Sequence, residues 1–209
     1  MLSSSEELAA AALAWVSAVG VADGDGMWWS SQPSSDEPDP GIYHGVAGIV
    51  LALLEAHAHF GDQRWADLAA RGTRWLTSAI DAPEYEPYPS LYTGLAGMAL
   101  ALHEAGGYFD DEAARAASLR GLARVRAGFD GERWGAPFEL LTGNAGIALA
   151  ALRIGDTDLA ELAVTPYLRT PRRPRTAFTG NRGAGIPAGC TTSPTAPSAS
   201  PTRSPRPGR

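Results

Sequence analysis

The feature that most constrains the fold of this chain is a repeat of constant period. The strings GIYHGVAGIVLALLEA, SLYTGLAGMALALHEA and ELLTGNAGIALAALRI each contain a Gly-x-x-Gly motif that opens an apolar stretch. The first glycines of the three motifs are Gly45, Gly94 and Gly143, each 49 residues after the one before. Such a period is typical of repeat architectures, in which one supersecondary unit stacks on the next.

Each repeat predicts a pair of antiparallel helices. The first helix of a pair is apolar almost all round and is predicted to lie inside, whereas the second is amphipathic and is predicted to lie outside. A further helix should precede the first helix pair. In the second repeat, Gly106 and Gly107 are expected to mark the break between the inner and the outer helix. The predicted helices span residues 5–19, 46–59, 62–80, 95–105, 110–127, 144–154 and about 157–164, the last one ending at Pro166.

The composition changes abruptly near Thr170. All 23 acidic residues and ten of the 17 arginines precede it, whereas the last 40 residues hold seven arginines, eight prolines and no acid. We therefore predict a helical domain over residues 1–169 and a disordered tail over 170–209. A basic arm for nucleic acid fits the tail less well, because aromatic residues are scarce there. Out-of-frame translation of GC-rich DNA is a third explanation of the tail, so we expect a frameshifted or truncated gene.

The repeated strings resemble the N-terminal repeats of the lanthionine synthetase C-like family. This resemblance implies an α/α toroid, of which three helix pairs make about half a ring, so the predicted fold class is all-α. It implies an enzyme that adds a peptide cysteine thiol to a dehydroamino acid and so closes a thioether ring. The implied substrate is a dehydrated precursor peptide, supplied by a separate dehydratase.

The family resemblance also implies a zinc ion held by two cysteines and one histidine from later Cys-x-Gly and Cys-His-Gly strings. This chain has neither string, and its single cysteine, Cys190, has no histidine after it. We therefore expect no zinc or other cofactor in this chain, and cyclase activity that is absent or incomplete. The single cysteine and the lack of a leader or a long apolar run predict a cytoplasmic protein that binds neither membrane nor nucleic acid.

Two residues at the starts of inner helices are candidate catalytic groups. Glu139 stands four residues before Gly143, where the resemblance places an acidic residue in proton transfer. His44 directly precedes Gly45 at the corresponding place in the first repeat. A structural role is the alternative for each, since a carboxylate near a helix N-terminus is favourable by charge alone. The paired positions Glu55 and Glu104 favour a structural role, and the residues Trp28, Tyr85, Tyr88 and Tyr92 are predicted to plug loops.

Two other functions remain open on the sequence. A carbohydrate-active α/α toroid would need two facing carboxylates at the mouths of the inner helices, and Glu139 alone occupies that position. A non-catalytic helical solenoid would bind peptides on its concave face.

Overall fold

The computed structural model describes residues 4–32, 35–82, 88–135 and 137–169, so the predicted tail 170–209 lies outside the described residues. Within these ranges the chain forms seven α-helices and one short β-hairpin. The elements are α1 (Ser4–Val19), β1 (Val21–Asp23), β2 (Gly26–Trp28), α2 (Val46–Phe60), α3 (Gln63–Ala79), α4 (Leu95–Phe109), α5 (Glu112–Ala127), α6 (Asn144–Ile154) and α7 (Thr157–Arg169).

The predicted all-α fold of helix hairpins is confirmed. Three antiparallel pairs, α2–α3, α4–α5 and α6–α7, follow one another, and the inner helices α2, α4 and α6 lie side by side in chain order. The outer helices α3 and α5 also contact each other. This is the arrangement that the α/α toroid requires, and α4 is the most buried helix because it has a helix pair on either side. The predicted boundary after residue 169 stays a prediction.

The turn inside each hairpin follows one pattern. The inner helix ends at a residue in the left-handed region, which is Gly61 in the first repeat and Asp110, with φ 55°, in the second. An aspartate follows at once and caps the outer helix. Asp111, for example, accepts hydrogen bonds from the backbone N–H groups of Ala113 and Ala114 at 2.9 and 3.1 Å. Gly155 and Asp156 play the same parts in the third repeat.

Two helix ends differ from the sequence prediction by more than two residues. α4 continues through Gly106 and Gly107 to Phe109. Gly106 serves close packing instead, since a Cβ on it would lie 2.8 Å from the Arg115 side chain of α5. α7 likewise continues past Pro166 to Arg169, so the third outer helix is longer than predicted. Proline destabilises a helix interior but does not forbid it when packing supports the segment.

The outer helices pack closely on the inner ones through a repeated glycine. A Cβ on Gly72 of α3 would lie 2.6 Å from the Val50 side chain of α2. In the next repeat, a Cβ on Gly121 of α5 would lie 3.1 Å from Ala99 of α4. Both members of each contact are 49 residues from their counterparts, so the period extends to the interface between inner and outer helices.

The segment before the first repeat contains the β-hairpin that the sequence prediction missed. β2 packs on α3, and the Trp29 ring that follows is almost fully buried against Gly72. Its indole N–H donates to the carbonyl oxygen of Val16 at 2.8 Å, and this hydrogen bond attaches α1 to the stacked helix pairs. The Trp29 ring therefore packs against the first helix pair.

Candidate functional site

The loop before each inner helix has the same backbone fold in all three repeats. We call residues 39–45, 88–94 and 137–143 the mouth loops. The N–H of the first helical residue donates to the carbonyl oxygen seven residues earlier, from Val46 to Asp39 at 2.7 Å and from Leu95 to Tyr88 at 2.9 Å. The third repeat has the same hydrogen bond at 3.4 Å. The three mouth loops are thus structurally equivalent, and their side chains occupy corresponding positions at the starts of the inner helices.

The two glycines of each motif let the chain approach its own mouth loop. A Cβ on Gly94 would lie closer than 3.0 Å to the carbonyl oxygen of Tyr88, and a Cβ on Gly97 closer than 3.0 Å to that of Leu91. The same six-residue relation recurs at both glycines of the other two motifs. Close backbone approach is the reason that both positions are glycine.

Backbone hydrogen bonds join successive mouth loops to one another. The N–H of Tyr43 donates to the carbonyl oxygen of Tyr92 at 2.9 Å, and the N–H of Tyr92 donates to that of Leu141 at 3.0 Å. At the third loop the pattern changes, because the N–H of Leu141 donates to the carboxylate of Glu139 at 2.6 Å. Glu139 therefore ends this ladder within the described residues.

The Glu139 carboxylate is fully engaged with its own mouth loop. It accepts hydrogen bonds from the hydroxyl and the backbone N–H of Thr142, both at 2.6 Å, as well as from Leu141. The Thr142 hydroxyl, followed by these N–H groups, holds the pKa of Glu139 below its ordinary value. The second loop has the matching contact between Ser90 and Thr93, whose hydroxyl oxygens are 3.0 Å apart. This geometry gives Glu139 a loop-stabilising role, and its catalytic role stays a prediction.

His44 lies at the mouth of the first repeat and pairs with a residue that sequence reasoning missed. Its Nδ1 lies 2.8 Å from a carboxylate oxygen of Asp39, whose other oxygen accepts the N–H of Gly41 at 2.7 Å. A histidine beside a carboxylate is a common acid–base arrangement. The same contact can also have the purely structural role of stabilising a loop. In the sequence, Asp39 and His44 stand five residues apart within one Pro-rich loop, and this spacing could have indicated the pair.

The structure does not bring the two candidate catalytic residues into contact. His44 belongs to the first mouth loop and Glu139 to the third, and the second loop lies between them in the backbone ladder. Two hydrogen-bonded steps of this ladder therefore separate the first loop from the third. Each side chain is instead held within its own loop.

The inner helices line a cavity of about 480 Å³ on the side away from the mouth loops. Its floor is apolar, with Leu51, Leu100 and Leu149 at one repeated position of α2, α4 and α6. The remaining lining residues are Leu54, Glu55, Ala58, Glu104, Tyr108 and Arg153. A cavity of this size with an apolar floor and a few polar groups has the usual properties of a ligand pocket.

The polar groups of the cavity occupy a second repeated position. Glu55, Glu104 and Arg153 are each 49 residues apart, and Arg153 donates from Nε to the Glu104 carboxylate at 2.6 Å. Glu104 is thus paired with a residue of the neighbouring repeat. Tyr108 borders the same cavity, and its hydroxyl lies 2.5 Å from Nδ1 of His57.

The residues present do not fit the zinc site that the family resemblance implies. No group of three or more His, Cys, Asp or Glu side chains that would hold a metal occurs among the described residues. Cys190 lies outside the described residues, and a chain with one cysteine cannot supply two thiolates to one ion. No step of chemistry is therefore assigned to zinc in this chain.

Asn144 is a buried polar residue that sequence reasoning missed. It is the first residue of α6, where the other repeats have Val46 and Leu95, and it is fully buried. Both polar atoms of its side-chain amide lack a hydrogen-bond partner. A buried amide without partners is unfavourable, so this position carries a local cost in stability.

The predicted aromatic plugs do not behave alike. Tyr88 is 74% exposed, so it does not plug the second loop, whereas Trp28 and Tyr92 are partly buried against the core. Tyr85 lies outside the described residues. The third mouth loop is instead anchored from α7, because the Tyr167 hydroxyl donates to the carbonyl oxygen of Phe138 and the two rings are 4.9 Å apart.

A family model described as lanthionine synthetase C-like protein matches residues 36–170, which is more than half of the chain and includes all three hairpins. No curated protein and no solved structure matches the sequence. In the described part of the chain, no helix has the length and apolar character needed to cross a bilayer.

Proposed function

Because this chain belongs to the lanthionine synthetase C-like family, we propose that it recognises a peptide with dehydrated serine or threonine residues and does not close a thioether ring on its own. The family supports the class of substrate. The residues of this chain argue for recognition without ring closure.

The cavity between the inner helices is the observation that carries this proposal. Its leucine floor offers a site for apolar side chains of a peptide, and Tyr108 and the Glu104–Arg153 pair place polar groups beside that floor. A volume of about 480 Å³ holds a few side chains of a peptide rather than a whole folded domain. Binding of a short peptide segment is the function that fits this geometry best.

Ring closure requires chemistry that this chain is poorly equipped to supply. The thiolate of a peptide cysteine attacks the β-carbon of a dehydroamino acid, and the α-carbon then takes up a proton. A thiol with an ordinary pKa is mostly protonated at neutral pH, and a metal is a strong means of generating the thiolate. Since the two-cysteine ligand set is missing, we propose that any thioether formation needs zinc ligands from another polypeptide.

The Glu139 carboxylate is the remaining acid–base candidate at the mouth loops. It is ionised at neutral pH and accepts three hydrogen bonds, so it is a weaker base than a free glutamate. We propose that it orders the third mouth loop beside a bound peptide. A carbohydrate-active site is less well supported, because the matching positions in the other repeats are Gly41 and Ser90 and carry no second carboxylate.

A binding titration tests this proposal. The probe is a synthetic peptide that contains dehydroalanine and cysteine, labelled with a fluorophore and titrated with the 209-residue chain while anisotropy is recorded. Leu100→Gln places an amide on the cavity floor and should weaken binding at least tenfold. Leu119→Gln, on the exposed surface of α5, is the matched control and should leave binding unchanged. Equal affinities for the two variants would contradict a site in this cavity.

A further inference from the structure

The third repeat has an apolar face that is covered in the other repeats. Leu152 is 59% exposed, whereas Leu54 at the same position of the first repeat is 7% exposed. Leu140 is exposed too, whereas its counterpart Leu91 is buried. We call this surface the trailing face. Its residues are Leu140, Leu149, Leu152 and Arg153.

The first repeat has the opposite face uncovered. Ala52 of α2 is exposed, whereas its counterparts Ala101 and Ala150 are both fully buried. Gly48 is half-buried, whereas its two counterparts are buried. We call this surface the leading face. Its residues are Gly48, Ala52 and Glu55.

The joints between repeats show how these two faces fit each other. Leu91 of the second mouth loop lies over Gly146 of α6, with its Cβ 2.7 Å from the place of a Cβ on that glycine. Ile42 lies in the same way over the glycine one repeat earlier. The next residue in this series is Leu140, and the glycine that would receive it is Gly48 on the leading face of another copy.

The charges of the two faces also match. Arg153 of the trailing face donates to Glu104 from Nε and Nη2, at 2.6 and 3.3 Å, and its other terminal nitrogen remains available. Glu55 of the leading face stands at the same repeated position as Glu104. A second copy placed as the next repeat would therefore set Glu55 beside Arg153, repeating the existing pair.

We propose that two copies of this chain associate head to tail, with the trailing face of each on the leading face of the other. Two such joints are related by a twofold axis, and together they close a ring of six inner helices. Closure matters physically, because a head-to-tail contact that does not close would build open filaments. Each joint also removes the exposed leucines from water, which favours association.

The mass in solution tests the association. Sedimentation velocity of the 209-residue chain should give twice the chain mass of 21.8 kDa. Leu152→Glu should lower the mass to that of one chain, because it puts a charge into each joint. Leu119→Glu is the matched control, since Leu119 is 61% exposed on α5 in the central repeat, and it should stay dimeric. Circular dichroism checks that both variants are folded.

Cross-linking tests the orientation. Glu55→Cys and Arg153→Cys are each made with Cys190→Ser, mixed, and treated with a short bismaleimide. The mixture should give a covalent dimer that contains one chain of each variant, and neither variant alone should give one. A single-chain mass for the unaltered protein, assemblies larger than two, or cross-linking of one variant with itself would overturn the head-to-tail pair. None of these outcomes depends on peptide binding, so failure here is distinct from failure of the proposed function.

Discussion

The backbone N–H of Tyr43 donates to the carbonyl oxygen of Tyr92 at 2.9 Å, one full repeat further along the chain. Tyr92 makes the same hydrogen bond to the third mouth loop, so the loops form a ladder across the starts of the inner helices. Side chains on these loops are thereby displayed at a fixed spacing. The glycine motifs make the ladder possible, because they let each helix start directly beneath its own loop.

The close approach at the first glycine of the motif gives the first prediction. Gly94→Ala should destabilise the protein by about 2–4 kcal/mol, because the new Cβ would overlap the carbonyl oxygen of Tyr88. Gly107→Ala is the control: it lies in the same helix with nothing within 4 Å of its Cβ position. It should stabilise the protein by about 0.5–1 kcal/mol. Urea unfolding measures both, and a neutral Gly94→Ala would show that the loop does not press on this glycine.

The buried amide of Asn144 gives the second prediction. Asn144→Leu should raise the free energy of unfolding by about 1–2 kcal/mol, because it removes two unpartnered polar atoms and installs the residue found at position 95. The reverse exchange, Leu95→Asn, should lower it by about 2–4 kcal/mol. Both are measured by urea unfolding. A loss of stability in Asn144→Leu would mean that the amide makes a favourable contact.

The lowered pKa of Glu139 gives a prediction about pH. The carboxylate is ionised more readily in the folded chain than in the unfolded chain, so it stabilises the fold above its ordinary pKa near 4.5. This contribution should disappear as the pH falls through the lower, folded-state pKa. Glu139→Gln should therefore be less stable than the unaltered chain at pH 7 and equally stable in strong acid. A difference between the two that does not change with pH would argue against the hydrogen-bonded carboxylate.

The attachment of α1 gives the fourth prediction. No residue of α1 is buried, and the hydrogen bond from the Trp29 indole N–H to Val16 is one of the contacts that hold it. Trp29→Phe removes the donor to Val16 and part of a buried ring, and it should speed hydrogen exchange throughout α1 at a cost of about 2 kcal/mol. Trp28→Phe is the control, and it should leave exchange in α1 unchanged. Unaltered exchange in Trp29→Phe would show that other contacts hold the helix.

Much of the fold follows from the sequence because the period fixes equivalent positions. The start of α6 at Asn144 and its end at Ile154 are predicted correctly, since Gly143 and Gly155 bracket an apolar run. The end of α4 is not predicted correctly, because Gly106 is typical of a helix end in sequence. Its packing role is visible only from the contact with Arg115. Tertiary contacts, which have no local pattern, decide such cases.

The candidate site is predicted less completely than the fold. The position of Glu139 at a mouth loop follows from its distance to Gly143. Its hydrogen bonds to Thr142 depend on loop geometry that no periodicity encodes. Glu55 and Glu104 are 49 residues apart, and Arg153 stands a further 49 residues along the chain. The repeat period could therefore have predicted the ion pair between Glu104 and Arg153 in the cavity.

We infer that this chain recognises a dehydrated peptide but does not close the thioether ring alone. Ring closure consumes a thiol without changing the mass of the peptide, so labelling of free thiols is the direct measurement. A synthetic peptide with one dehydroalanine and one cysteine is incubated with the chain and Zn²⁺, then treated with N-ethylmaleimide and weighed by mass spectrometry. We predict that the peptide binds and that its thiol remains labelled to the same extent as without protein. Zinc-dependent loss of labelling, faster than in the protein-free control, would contradict the account.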